Sequence, residues 1–203
     1  MNRNDLFTAI RPYAPDQRFT PAAVVAIDAL ADMFDIPRIT EANMPAPAAT
    51  GPTIPDDYWP MLAKIESGDN PLAKAPTSSG SGLYQFLKAT WIGEGGAWGV
   101  DASKPFGGLK PSREEQTARA KTFTARNAVS LLRAGIPINK ATLYAAHFFG
   151  PMTAAKVIGA DVKARADLIA GEGPTKANES ILRGKTVGEF LTWLHKKTGE
   201  WAR

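Results

Sequence analysis

The chain of 203 residues contains no cysteine, so no disulfide braces the fold and no thiolate can hold a metal. It has only two histidines, His147 and His195, too few for a histidine-built metal centre, and no metal or other cofactor is expected. No apolar run approaches the ~18 residues needed to cross a bilayer, so stable membrane insertion is not expected. The N-terminal Met-Asn-Arg-Asn-Asp leads into no apolar stretch of signal-peptide type, so entry by that route is not expected either. No alternating pattern long enough for a strand stands out, and no internal repeat is visible. What remains is helical spacing, and an all-α fold is expected.

Lys and Arg number 24 against 20 Asp and Glu, a formal charge of +4. Such a balance favours polyanions, among them the cell wall. The basic residues are scattered and form no tract, so nucleic acid is not the expected partner.

The first 42 residues read as a small helical module. Asp5 is placed to cap a short helix carrying Leu6, Phe7 and Ile10, with Pro12 and Pro15 ending it. Thr20 followed by Pro21 is a helix start, and Val24, Val25, Ile27, Ala31 and Phe34 supply an apolar side. Two helices of this size bury little alone, so they are expected to pack on the main domain, on a partner or loosely on each other. Residues 43–55 are rich in Pro and Ala and read as an extended linker. Residues 56–203 are then the main domain.

That domain opens with a helix capped by Asp56 or Asp57, whose Tyr58, Met61, Leu62 and Ile65 recur at helical spacing. Glu66 follows directly, and Gly68 and Pro71 stop the helix. A carboxylate there faces the negative end of the helix dipole and is partly buried beside Ile65. Both effects disfavour the charged form, which suits a proton donor. Residues 74–82 carry too many breakers for regular structure. Gly82 to Trp91 is expected to be helical, with Leu83, Phe86, Leu87 and Trp91 inward. The Gly-rich stretch 93–111 is a long loop, expected to wall a groove with Trp98 or Phe106 as a flat face. Ser112-Arg113-Glu114-Glu115 is a capping box opening a helix to Arg133, with Phe123, Ala128, Val129 and Leu132 as its inward stripe. A further helix starts at Asn139 or Lys140 and stops at Gly150-Pro151. Two short helices are expected in 152–170, a polar loop over 171–185, and a closing helix from Thr186 to Leu194. Asp69, Glu94, Asp101 and Glu114 read as surface charges.

Three blocks together resemble a known family. They are Glu66-Ser67-Gly68-Asp69-Asn70-Pro71-Leu72-Ala73; Gly82-Leu83-Tyr84-Gln85-Phe86 with Ala89-Thr90-Trp91; and Leu143-Tyr144-Ala145-Ala146-His147-Phe148-Phe149-Gly150. In this order the sequence resembles the soluble lytic transglycosylase-like domain, the glycoside hydrolase family 23 type, of the lysozyme superfamily, over about residues 58–160. Leu6-Phe7 with Arg11-Pro12, and Phe19-Thr20-Pro21 through Ile27-Asp28-Ala29-Leu30, are similar to a module in front of phage and prophage wall-degrading proteins, which implies a wall-binding or partner-binding role beside that of a stabilising helical extension.

The resemblance implies a mainly helical lysozyme-like fold and cleavage of the bond between N-acetylmuramic acid and N-acetylglucosamine, with a 1,6-anhydro product. It implies Glu66 as the single acid/base. Gln85 would position the sugar, Ser67 would orient the site, and Tyr144 would contact the catalytic carboxyl. Gly82, Leu83 and Tyr84 belong to the expected groove, with Trp98. Ala145 and His147 depart from the commonest pattern, which has Asn and Gly there. His147 then either lines the groove or is a packed residue with a backbone partner. Peptidoglycan glycan strands are the expected partner, and a monomer the expected state. The chain would act as an endolysin released from the host cytoplasm through a holin lesion, or as a virion-associated enzyme. A hydrolysing muramidase of goose-type kind and a non-catalytic wall-binding or virion protein are the alternative readings.

Overall fold

The structure, a computed structural model, describes residues 52–203 and, before them, Leu6, Ile10, Thr20, Ala23, Ala26, Ile27 and Leu30. The chain divides into two units, Met1–Thr50 and Gly51–Arg203. In the first unit, the described residues other than Thr20 are helical, and the Ala23 amide donates to Thr20 Oγ1 at 3.2 Å, an N-cap bond. Asp5, Phe7, Val24, Val25, Ala31 and Phe34, and the linker as far as residue 51, lie outside the described residues.

The second unit is all-α. Its helices are α1 (Tyr58–Ser67), α2 (Lys88–Gly93), α3 (Arg113–Arg133), α4 (Lys140–Phe149) and α5 (Pro151–Gly159). They are followed by α6 (Ala166–Ala170), α7 (Glu172–Ala177), α8 (Glu179–Leu182) and α9 (Val187–Thr198), with a 3₁₀ turn at Pro105–Gly108. Among the described residues, β pairing is limited to the isolated bridges Lys74–Ser81, Ser81–Phe86 and Arg165–Thr186. No described helix is long and apolar enough to cross a membrane.

The core is built around α4. Its residues Ala141 to Ala146 are all buried, and α3, α5 and α9 pack against it. The run of Ala lets neighbouring helices approach closely, while Leu143 and Tyr144 fill the gaps. Asn139 starts α4 with a reciprocal capping box to Thr142, and Thr186 does the same for α9 with Glu189. Phe190 and Leu194 of α9, fully buried, close the core at about 1.5–3 kcal/mol each.

The longest helix, α3, has the expected boundaries, but its buried face is rotated. Gln116, Ala120, Thr124, Asn127, Ala128 and Leu131 point inward, while Val129 and Leu132 are exposed. The cause is polar burial. Gln116 accepts from the Leu83 amide at 2.8 Å and donates to Pro71 O and Pro111 O at 3.1 and 2.9 Å, tying three loops to the helix. Ser112 accepts from the Glu115 amide, but the Glu115 carboxylate turns to Arg119 at 2.8 Å, so the capping box is one-sided.

Three other expectations are corrected. Residues 82–87 are not helical. Ser81 and Phe86 exchange backbone hydrogen bonds of 3.1 Å around a tight turn, and the helix begins only at Lys88. The turn requires left-handed backbone at Gly82, where a Cβ would strike Gln116 Oε1 and the Phe106 ring, and again at Gln85 (φ 48°). Leu87 is consequently half exposed. Residues 171–185 are not a loop but contain α7 and α8. Glu94 is not a surface charge: its side chain is 3% exposed, ion-paired with Arg126 and hydrogen-bonded by Thr122 Oγ1 at 3.0 Å.

Candidate functional site

The end of α1 is fixed by its own backbone. Gly68 takes the left-handed conformation, its amide donates to Lys64 O at 3.1 Å, and the Asp69 amide donates to Ala63 O at 3.1 Å. Ser67 Oγ donates to Ala63 O at 3.0 Å and accepts from the Asn70 amide at 3.1 Å. Arg113 grips Asp69 just beyond, at 2.6 Å. Glu66, one residue from this closure, therefore has little freedom in where its side chain points.

It points into a cleft of about 900 Å³. Glu66, Gln85, Tyr144 and His147, from three separate segments, line it together. The Glu66 side chain is 17% exposed, and its Oε1 lies 4.0 Å from His147 Nε2. Among the residues lining the cleft, Glu66 is the only carboxylate.

The groups next to Glu66 are proton carriers, not fixed cations. Tyr144 is pushed far above the ordinary phenol range, first by burial, then by the Glu66 charge and by its hydroxyl facing that carboxylate. Tyr58, fully buried beneath, is raised by burial and then by the same charge. Thr124 is near enough to Tyr58 to ease this slightly, but Tyr58 Oη makes no hydrogen bond among the described residues. Both phenols thus keep their protons at neutral pH. Tyr144 also stacks on Trp193 with ring centres 5.8 Å apart, which fixes its direction.

His147 does both things the sequence left open. It lines the cleft, and its Nε2 sits 3.1 Å from the Tyr84 carbonyl. A carbonyl only accepts, so Nε2 carries the proton, and the buried Nδ1 has no partner among the described residues. The rings of Phe86 and Phe123 stand edge-on to the imidazole at 6.3 and 6.0 Å. His147 is therefore a strut from α4 to the turn that carries Gln85. Within that turn Gln85 Nε2 donates to Gly82 O at 2.9 Å.

The remaining expected site residues are placed elsewhere. Ser67 holds the end of α1. Gly82 and Leu83 are buried against Gln116 and the core. Tyr84 is buried, with its hydroxyl 3.0 Å from Thr117 Oγ1, and contributes to the cleft only through its carbonyl contact to His147. Leu83 and Tyr84 back a separate groove with Trp59 and Arg113. Phe106 is fully buried and offers no face to a ligand. Trp98 lines a smaller hollow of about 300 Å³ that meets the Glu66 cleft at Ser78.

Sequence reasoning missed the cleft's other wall. Lys176, Asn178, Ile181, Trp193 and Lys197 line it, brought in by α7, α8 and α9 and the junction between α7 and α8, and Leu87, just before α2, completes it. Trp193 had a signal, as a large aromatic on the closing helix. The short helices had none. A third hollow, beside α9, shares Ile181 and Trp193 with the cleft. Among the described residues, no group of three or more metal-ligating side chains is found.

Comparison with protein-family models finds none that matches the chain, and comparison with curated proteins finds no match.

Proposed function

We propose that the chain is a peptidoglycan lytic transglycosylase on a lysozyme-like fold, with Glu66 as its one acid/base. The observation that carries this reading is a cleft with a single carboxylate, flanked by a proton-holding phenol and an imidazole. Glycosidases of the usual kind need two carboxyl groups across the scissile bond. Here a second group must come from the substrate itself.

Glu66 gives its proton to the bridging oxygen as the bond from that oxygen to the muramic C1 breaks. The 2-acetamido carbonyl oxygen bonds to C1 and takes up the positive charge. Glu66, now a carboxylate, removes the proton from the muramic 6-hydroxyl. That oxygen attacks C1, the acetamido bond opens, and the 1,6-anhydro ring closes. Tyr144 donates toward Glu66 while it is charged, and His147 holds the Gln85 turn in register. Three adjoining hollows, sharing Ser78 on one side and Ile181 and Trp193 on the other, suit a polymeric strand better than a small molecule.

On this reading the chain serves as a phage endolysin or a virion-associated lysin, and the first 42 residues serve as a wall-binding or partner-binding module. The test is mass spectrometry of products from purified peptidoglycan. Anhydro-muramic ends are expected. Reducing ends would make it a hydrolysing muramidase, and no cleavage at all would leave a non-catalytic wall or virion protein.

A further inference from the structure

The cleft is electrostatically lopsided. Glu66 is its one carboxylate, while Lys176 of α7 and Lys197 of α9 line it from the other wall. Neither lysine forms an ion pair among the described residues, unlike Lys185 and Arg183 on the neighbouring stretch of chain. Lys185 is paired with Glu189 at 3.2 Å, and Arg183 bridges Glu172 and Glu179 at 3.1 and 3.0 Å. Lys197 Nζ is carried over the Trp193 ring, 6.0 Å from its centre, which holds the ammonium at the cleft wall. Lys196 lines the hollow that shares Trp193 and Ile181 with the cleft, beside the paired Lys185 and Glu189.

An N-acetylated sugar is neutral and gives these ammonium groups nothing to pair with. On a glycan strand the negative charge lies on the acidic peptide stems that branch from the muramic residues. We propose that the wall formed by Lys176 and Lys197 is a subsite for stem-peptide carboxylates, and that the enzyme prefers strands carrying charged stems. This rests on the reading of the cleft given above. Ammonium groups act as point charges without directional forks, so the subsite reads charge and tolerates variation in the peptide.

The experiment compares native peptidoglycan strands with the same strands after their stem carboxylates are converted to amides. The wild-type chain is expected to cleave the amidated strands more slowly, by about three- to tenfold, the range two exposed ion pairs supply. The difference should lie in KM and shrink at high salt. In the Lys176→Gln/Lys197→Gln double variant, the ratio of rates on the two substrates should fall towards one. Equal wild-type rates on both substrates overturn the proposal, as does a preference that the double variant keeps. Cleavage of neither substrate overturns the transglycosylase reading and the subsite with it, so the two failures are told apart.

Discussion

Two buried glutamates in this unit behave as opposites. Glu94 is 3% exposed and Glu66 17% exposed, so both have lost most of their water. Glu94 is surrounded by compensation: Arg126 on its carboxylate, Thr122 Oγ1 at 3.0 Å, and Arg119 on its backbone carbonyl. Its charge is answered and it can do little else. Among the described residues Glu66 has no Arg or Lys ion pair, only a phenol facing it and an imidazole at 4.0 Å. Burial alone therefore does not set what a carboxylate can do. The partners decide whether a buried carboxylate is locked or left free to exchange a proton.

The widest separation between the two is expected on substitution by glutamine. Glu66→Gln should lower the cleavage rate by about 10²–10⁴-fold with an unchanged melting temperature, since it removes the proton donor and keeps the shape. Glu94→Gln should leave the rate on wall suspensions near wild type at low temperature and reduce stability by about 1–3 kcal/mol in urea, as charge-assisted bonds weaken. If Glu94→Gln abolishes cleavage while Glu66→Gln does not, the proposed assignment of roles is reversed.

His147 sharpens the contrast on the Glu66 side. Removing the strut in His147→Ala should free the Gln85 turn and cost about ten- to a hundredfold in kcat. His147→Gln, whose amide can still donate to the Tyr84 carbonyl, should recover part of the loss. A packing role alone would move stability and not show this rescue.

A third buried carboxylate, Asp167, belongs with Glu94. Arg165 binds it through two nitrogens at 2.9 and 2.6 Å, and the Gly184 amide donates to it at 2.9 Å. Arg165, first, and then the Gly184 amide hold its carboxyl well below the usual range. A depressed carboxyl stabilises the fold at pH above its unfolded value of about 4, and that contribution fades as pH falls toward the folded value. The melting temperature of Asp167→Asn should therefore lie below wild type at neutral pH, and the gap should close as the pH drops from about 4. A gap that stays constant would mean the site acts through packing.

How far these groups could be read in the sequence depended on how local their causes are. The ends of α3 and α4 were legible because Ser112, Asn139, Gly135 and Gly150 act within a few residues. Glu66, Gln85, Tyr144 and His147 could be named from three short blocks, and the structure brings them to one cleft. The turn at 82–87 was not legible: the spacing of Leu83, Phe86 and Leu87 imitates a helix, while the deciding contact, Gln116 to the Leu83 amide, spans distant segments. Nor were α7 and α8, each too short to show a period, although with Asn178 between them they supply about a third of the residues that line the cleft.

The smallest expected effect tests the plainest of these misreadings. Hydrophobicity along α3 nominates Val129 and Leu132 for the core, yet Leu132 is 49% exposed and its neighbour Leu131 fully buried. Gln116, Thr124 and Asn127 occupy the inward face, and Gln116 can do so because its amide finds three backbone partners. Leu132→Lys should accordingly change stability by less than about 0.5 kcal/mol. Leu131→Ala, which empties a filled site, should cost about 2–5 kcal/mol by chemical denaturation. Were the two to exchange magnitudes, the helix would be turned by one residue, and the Gln116 anchor that shapes the Gln85 turn would fall away with it.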